Sequence, residues 1–323
     1  MTAAAIALDA ATYQRHALHG ESAVWVEKNC YIDVWVEVLH SLGLDPMAML
    51  PFVAAVDFEE DQWTFFKPSL GELWDLYGVD TQELNVWRPL LEHARTHLAR
   101  GTLVCTEADS FWLPDTQGTD YRRQHVKTSI VLNDLDVEGR RLGYFHNAGY
   151  YQLEGEDFLQ TFRVGHPPDP AFLPLYAETI RFDRRVARPR SELLVMSRRL
   201  LAGHVARRPR DNPVRRFAEV IATRFAAIAA EGLAHYHAWA FANVRQLGAA
   251  MELLAAHLRW RGEPDGAAAM AAEAFTQVSD GCKALILKAA RAVNGRKTLD
   301  ATALLDGMAE SWQRGMALLE ADA

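Results

Sequence analysis

Residues 31–42 carry the clearest hydrophobic pattern in the chain. Tyr31, Val34, Trp35, Val38, Leu39 and Leu42 recur at the spacing of one helical face. Asn29 offers the short carbonyl side chain that caps a helix start, Gly43 permits the stop and Pro46 follows. Cys30 is thereby expected at the first helical position. Strand-like runs follow at Leu103–Glu107 and at Val126–Leu132, the latter facing Leu142–Asn147 across a polar turn from Asn133 to Arg140, which predicts a hairpin. His166-Pro-Pro-Asp-Pro170 then punctuates the chain, because prolines remove donors and oppose helix. Beyond about Arg190 the pattern turns helical. Ala-rich segments 213–231, 233–261, 267–293 and 299–320 have breaks at Gly232, at Gly262–Gly266 around Pro264, and at Asn294-Gly295. Short breaks favour antiparallel neighbours, hence a bundle. The expected architecture is α+β over 1–166, a Pro/Arg-rich connection over 167–189 and an all-helical bundle over 190–323.

Composition narrows the class. The chain has 323 residues, 50% hydrophobic and 24% charged, which suits a globular protein with a sizeable core. No run approaches the roughly 18–20 apolar residues of a membrane span. The opening MTAAAIAL has no basic leader and meets Asp9, so a secretory signal is not expected. Three cysteines, Cys30, Cys105 and Cys282, without CxxC spacing fit a reducing cytoplasm rather than a disulfide framework or a Cys-rich zinc site. The sequence contains no HExxH, P-loop or GxGxxG pattern, and His235 and His237 point about 200° apart on a helix. Neither a bound cofactor nor a metal is expected. The net charge of −8 conceals a basic band: residues 181–216 hold 12 arginines and three acids, a local +9 that leaves −17 elsewhere. This argues against general nucleic-acid binding and leaves two readings, an acidic partner or a solvated helix face.

Cys30 is the sharpest chemical candidate. A thiol at a helix N-terminus meets free N–H groups and the positive end of the dipole, which favour thiolate and can hold an oxyanion. The plain alternative is a small buried hydrophobe. A hairpin centred near Asp136 puts His125 opposite Asn147, and opposed residues share a face of the sheet. His125 is then a general base toward Cys30 and Asn147 orients its imidazole; a slip of one residue presents His146 instead. Glu59, Glu60 and Asp61 precede Trp63, Phe65 and Phe66 as a surface loop or a lid, and Asp109, Asp115 and Asp120 are turn formers or amine holders.

Cysteine on a helix, then His, then Asn on strands is the order of the papain-like fold. Asn29-Cys-Tyr-Ile-Asp-Val-Trp35, Asp57-Phe-Glu-Glu-Asp-Gln-Trp-Thr-Phe-Phe-Lys67, Leu113-Pro-Asp-Thr116, His125-Val-Lys-Thr128 and Tyr144-Phe-His-Asn-Ala-Gly-Tyr150 resemble an uncharacterised bacterial family. That family is similar to the butirosin-pathway, BtrH-like acyltransferases, chiefly over the first half of the chain. The resemblance implies a papain-like cysteine-protease/acyltransferase fold, with Cys30 as nucleophile, His125 as base and Asn147 as orienting residue. It implies aminoacyl transfer from the phosphopantetheine of a carrier protein to a small amine, with an amino acid:carrier-protein ligase in the same pathway. Papain-like enzymes carry an oxyanion Gln about six residues before the Cys, where this chain has Val24. Asn29 or Gln62 is then expected to substitute, with Asp109 and His146 as further substrate-binding candidates. Arg198, Arg199, Arg207 and Arg208 are expected to dock the acidic carrier. The alternatives are a cysteine hydrolase with the same triad, or a non-catalytic carrier-binding protein, which Val24 favours. Neither nucleic acid nor membrane is expected as a partner.

Overall fold

The computed structural model describes residues 2–167, 173, 175–262 and 266–322. Residues 168–170 of the expected Pro-rich break and Pro264 of the expected helix break lie outside the described residues. Strands in chain order are β1 (Thr2–Ala4), β2 (Phe58–Glu59), β3 (Gln62–Trp63), β4 (Asp80–Glu83), β5 (Leu103–Asp109), β6 (Lys127–Asp136), β7 (Arg141–His146), β8 (Gly149–Glu154) and β9 (Ala177–Arg181). Helices are α1 (Cys30–Ser41), α2 (Leu70–Tyr77), α3 (Leu90–Leu98), α4 (Gly155–Thr161), α5 (Arg190–Ala206), α6 (Pro213–Ala230), α7 (Leu233–Ala242), α8 (Val244–Trp260), α9 (Ala267–Asn294) and α10 (Thr302–Asp322). The protein is mixed α+β, with antiparallel sheets and a helical C-terminal region. It divides into two compact units. Unit 1 is Met1–Gly20, Asn29–Pro46 and Ser69–Ala187; unit 2 is Glu21–Lys28, Met47–Pro68 and Arg188–Ala323.

Unit 1 is built on a sheet of order β4-β9-β5-β6-β7-β8, and β1 pairs with the far end of β6. The segment expected as a mere connection contributes β9, inserted between β4 and β5. Its Glu178 reads as a surface residue, yet it is buried because Tyr31 and Tyr176 donate hydroxyl hydrogen bonds to its two carboxylate oxygens. The expected polar turn is also shorter than its sequence suggests. Asn133 and Asp134 stay in β6: Asn133 bonds both backbone groups of Ile6 and the Tyr150 hydroxyl, and Asp134 pairs with Arg141 at 2.6 Å. The β6–β7 turn is therefore residues 137–140, and the ladder shifts once between Leu132 and Asp134.

Helix α1 packs on β6, β7 and β8. The predicted apolar stripe is buried as far as Leu39, with Leu42 half-buried, and so is the opposite side: every residue from Tyr31 to Leu39 is buried, Asp33 and Glu37 included. Residues 13–19 cover those two acids. His19 is wholly buried, with Nδ1 on Glu37 and Nε2 on Asp33 at 3.0 Å, and Tyr13 donates to Glu37 at 2.6 Å. Burial alone raises the Glu37 carboxyl, but the His19 bond and charge, together with the bonds from the Tyr13 hydroxyl and the His16 N–H, hold the group below its ordinary range. The other face of the sheet holds a core of Val104, Ala108, Ile130, Leu132, Leu142 and Tyr144 beneath Ala94 and Leu98 of α3.

In unit 2, α9 packs along both α8 and α10, and α6 packs on α10. The β2–β3 hairpin presents Phe58 and Trp63 to Phe217 of α6, with ring centroids 5.3 and 5.7 Å apart, and Arg216 pairs with Asp57 at 2.5 Å. The helix expected over 233–261 is broken at Asn243. Its side-chain amide returns to the Trp239 carbonyl at 3.2 Å, a local bond that competes with helix propagation. Residues 21–28 are held here too: Glu252 accepts from the backbone N–H groups of Val24 and Trp25, and the Trp25 indole donates to Ser279 at 2.9 Å.

Candidate functional site

Cys30 is the first residue of α1 and is half-buried. Asn29 caps the helix, its Oδ1 accepting from the N–H groups of Tyr31 at 3.1 Å and Ile32 at 2.9 Å. The cap explains why the helix starts here, and it changes one expectation: those two N–H groups are already occupied and are not the oxyanion donors. The nearest polar partner of the thiol is the Ser129 hydroxyl, 3.7 Å from Sγ. Ser129 opposes Glu107 across the β5–β6 ladder, and the next pair on the same face is Asp109 opposite Lys127. Glu107 and Lys127 form an ion pair at 2.8 Å.

His125 precedes β6 rather than lying on it. Its Nδ1 is 2.6 Å from Asp109 Oδ2, and its ring stacks on Phe111 at 4.3 Å and 12°. Asp109 also caps the short turn Ser110–Trp112 through the Phe111 N–H, so it is both the turn former and the partner of the histidine. The two residues make a carboxylate–imidazole dyad on the face of the sheet that carries Cys30. One cross-strand step, about 7 Å along the strands, separates the Asp109–Lys127 pair from the pair that includes Ser129, the thiol's neighbour. No hydrogen bond joins Cys30 to His125.

Asn147 is not the partner of His125. Ile130 opposes His146, and Leu132 opposes Tyr144, so the ladder is displaced from the expected register by the retention of Asn133 and Asp134 in β6. Asn147 instead turns the chain from β7 to β8 with φ +42°, a conformation that Asn tolerates better than most residues. His146 lies on the opposite face from Ser129, since it opposes Ile130. It is buried, with Nδ1 2.6 Å from Asp115 and Nε2 2.8 Å from the Thr128 hydroxyl. Gln62 sits in unit 2 on β3, opposite Glu59 and exposed. Val24 also belongs to unit 2.

The arginine band is partly neutralised within the units: Arg181 pairs with Asp80, Arg188 with Glu192, Arg208 with Glu320 and Arg216 with Asp57. Arg199 and Arg207 are exposed without an ion pair among the described residues. Arg198 and Arg199 line a cavity of about 320 Å³ with Arg261, Leu201, Val205 and Leu319. Among the described residues no group of three or more His, Cys, Asp or Glu is arranged to hold a metal, and no helix is long and apolar enough to cross a membrane.

Residues 14–182 match the DUF1839 N-terminal domain, and residues 190–321 match the DUF1839 C-terminal domain. The chain belongs to the DUF1839 family. The junction between the two DUF1839 matches falls between β9 and α5. No curated protein matches the chain. In this DUF1839 member, reading the sequence missed Ser129 as the neighbour of Cys30 and Glu107 as the residue opposite Ser129. Their signal was strand alternation: residues 127 and 129 of one strand, and 107 and 109 of the next, project to one face.

Proposed function

We propose that the protein is a cysteine-dependent acyltransferase with unit 1 as a papain-like domain. The observation that carries the reading is a thiol at a helix N-terminus on the sheet face that also bears the Asp109–His125 dyad. His125 takes the Cys30 proton, the thiolate attacks an aminoacyl thioester, His125 returns that proton to the leaving pantetheine sulfur, and the acyl group rests on Sγ. An amine then attacks the acyl-cysteine, and His125 takes its proton as the new amide forms. Asp109, rather than Asn147, orients the imidazole and fixes its tautomer. The Ser129 hydroxyl is the side-chain donor best placed to support the oxyanion. The donor rides on the phosphopantetheine of an acidic carrier protein, for which the basic residues Arg198, Arg199, Arg207 and Arg208 are the docking candidates. The choice of donor rests on the resemblance of the Cys30 and His125 motifs to a family that is in turn similar to the BtrH-like acyltransferases.

The test is intact-protein mass after brief incubation with aminoacyl-pantetheine thioesters. Wild type gains one acyl group, Cys30→Ala gains none, Asp109→Ala loads more slowly and Asn147→Ala loads normally. Added amines then clear the adduct faster than water does. Clearance by water alone assigns a hydrolase, and loading that survives in Cys30→Ala removes the reading.

A further inference from the structure

A hydroxyl, an imidazole and a carboxylate stand in line on the other face of the sheet, away from Cys30. Thr128 Oγ1 is 2.8 Å from His146 Nε2, His146 Nδ1 is 2.6 Å from Asp115 Oδ2, and the Tyr144 hydroxyl donates to Asp115 Oδ1. Three stretches of chain converge here: the Leu113–Thr116 turn, the start of β6 and the end of β7. Two of these bonds have a fixed direction, and the Thr128–His146 bond follows the tautomer of the ring. Burial, and then the charge of Asp115, push the Tyr144 phenol well above its ordinary range, so it remains a donor to the carboxylate. Asp115, with one oxygen occupied by Tyr144, accepts Nδ1–H on the other, and in the neutral ring Nε2 then keeps its lone pair. The Thr128 hydroxyl therefore donates to Nε2. That is the arrangement of an activated hydroxyl, with base and orienting acid in sequence.

The relay is buried but lies at an edge of the apolar core. Thr128 is the second residue of β6, retains 6% exposure, and follows residues 122–127, all of them exposed. Ala108 opposes it across the ladder, and Ala108 and Leu113 belong to the adjoining apolar core. Filling the same volume with apolar side chains avoids the cost of desolvating a carboxylate and an imidazole. We propose that Thr128, His146 and Asp115 form a second nucleophilic centre, which accepts short apolar acyl groups from esters and passes them to water. Thr128 Oγ attacks the ester carbonyl as its proton moves to His146, and that proton leaves with the departing alcohol. His146 then deprotonates a water molecule that opens the acyl-threonine, releasing the carboxylic acid and restoring the hydroxyl. Thr128 and His146 are the catalytic residues, and Asp115 is a positioning residue.

The test uses the full chain in a Cys30→Ala background, so the result is independent of the Cys30 reading. The probe is a β-lactone with a short alkyl chain, whose ring opening adds its whole mass to one residue. A single adduct is expected, mapped by peptide mass to Thr128. It is retained in Thr128→Ser, absent in Thr128→Val, and formed at least about a thousandfold more slowly in Asp115→Asn, the scale on which loss of the orienting acid acts in hydroxyl triads. Hydrolysis of p-nitrophenyl butyrate is expected to fall in parallel. Thr128 left unlabelled in the folded Cys30→Ala protein overturns the proposal, as does labelling at the same rate in Asp115→Asn.

Discussion

His257 makes unit 2 sensitive to acid in a way that can be worked from its surroundings. The ring is fully buried, with Nδ1 2.9 Å from the Met47 carbonyl and Nε2 3.4 Å from the Ser197 hydroxyl. Because a carbonyl only accepts, Nδ1 carries the hydrogen; the Ser197 hydroxyl donates to Nε2 of the neutral ring. Burial lowers the His257 pKa from 6.5 to about 4, opposed by the Met47 bond and aided by the Arg261 charge. The unfolded chain thus takes up a proton near pH 6.5 that the folded chain refuses until about pH 4. The penalty is absent above the unfolded value, grows as pH falls through this window and levels off below the folded value. At 1.36 kcal/mol per pH unit it reaches on the order of 3 kcal/mol. His257→Asn keeps an amide donor for Met47 but cannot titrate. Urea unfolding, followed by helical circular dichroism at pH 7.5, 6, 5 and 4, compares the two proteins. At pH 7.5 the variant is expected to be less stable by about 1–2 kcal/mol, from a poorer hydrogen bond and lost packing. The gap should close as the pH falls, cross zero between about pH 6 and 5 as the penalty reaches about 1–2 kcal/mol, and stand reversed at pH 4. Other titrating groups act on both proteins and cancel in the difference. A gap that stays constant from pH 7.5 to pH 4 refutes the argument.

Other perturbations have equally definite outcomes. His19→Ala strands Asp33 and Glu37 in the interior without their shared cation and should destabilise unit 1 by ~3–5 kcal/mol; denaturant unfolding at pH 7 reads it, and a loss under 1 kcal/mol contradicts the buried triad. Gly248→Ala gains ~1 kcal/mol of helix propensity, yet its Cβ would lie 2.5 Å from the Trp25 ring, which Ser279 holds in place. A net loss of about 1–3 kcal/mol is expected from the overpacking, and a rise in Tm would show that the ring gives way. Thiol titration with a disulfide reagent at pH 8 should modify Cys30 alone in the native protein, because Cys105 and Cys282 are buried and burial pushes the Cys282 thiol up; all three should react in urea. Reversing Arg199 and Arg207 to Glu should slow acyl loading from an acidic carrier at low salt and leave loading from free aminoacyl-pantetheine unchanged; equal rates with the carrier discard the docking role.

What could be read from the sequence was whatever depends on near neighbours. The α1 stripe, its Asn29 cap and the placement of Cys30 follow from local periodicity and capping, and all three stand in the structure. The helical character of the C-terminal region follows from alanine-rich apolar spacing in the same way. Partners far along the chain were what local patterns could not supply. Asn133 looks like a turn residue until Ile6, 127 positions away, supplies its hydrogen bonds, and this moved the hairpin register and with it Asn147. Glu178 disguises β9 as a polar linker because its two tyrosines come from elsewhere in unit 1. Asp109 was visible as a turn former, and its second task, holding His125, became legible only when β5 and β6 were paired.

The interleaving of the two units also sets a schedule for synthesis. Unit 1 holds all of its residues once the ribosome has passed Ala187. Met47–Pro68 emerge much earlier and belong with helices still to be made, among them α6, whose Phe217 packs on Phe58 and Trp63. At 5–20 residues per second the wait is on the order of 10 s. During that interval Met49, Leu50, Phe52, Val53, Phe58 and Trp63, all buried in the finished protein, are displayed on a nascent chain without their unit 2 helices. A gene truncated after residue 187 makes that interval permanent, and its product should be a client for chaperones rather than a free-standing domain.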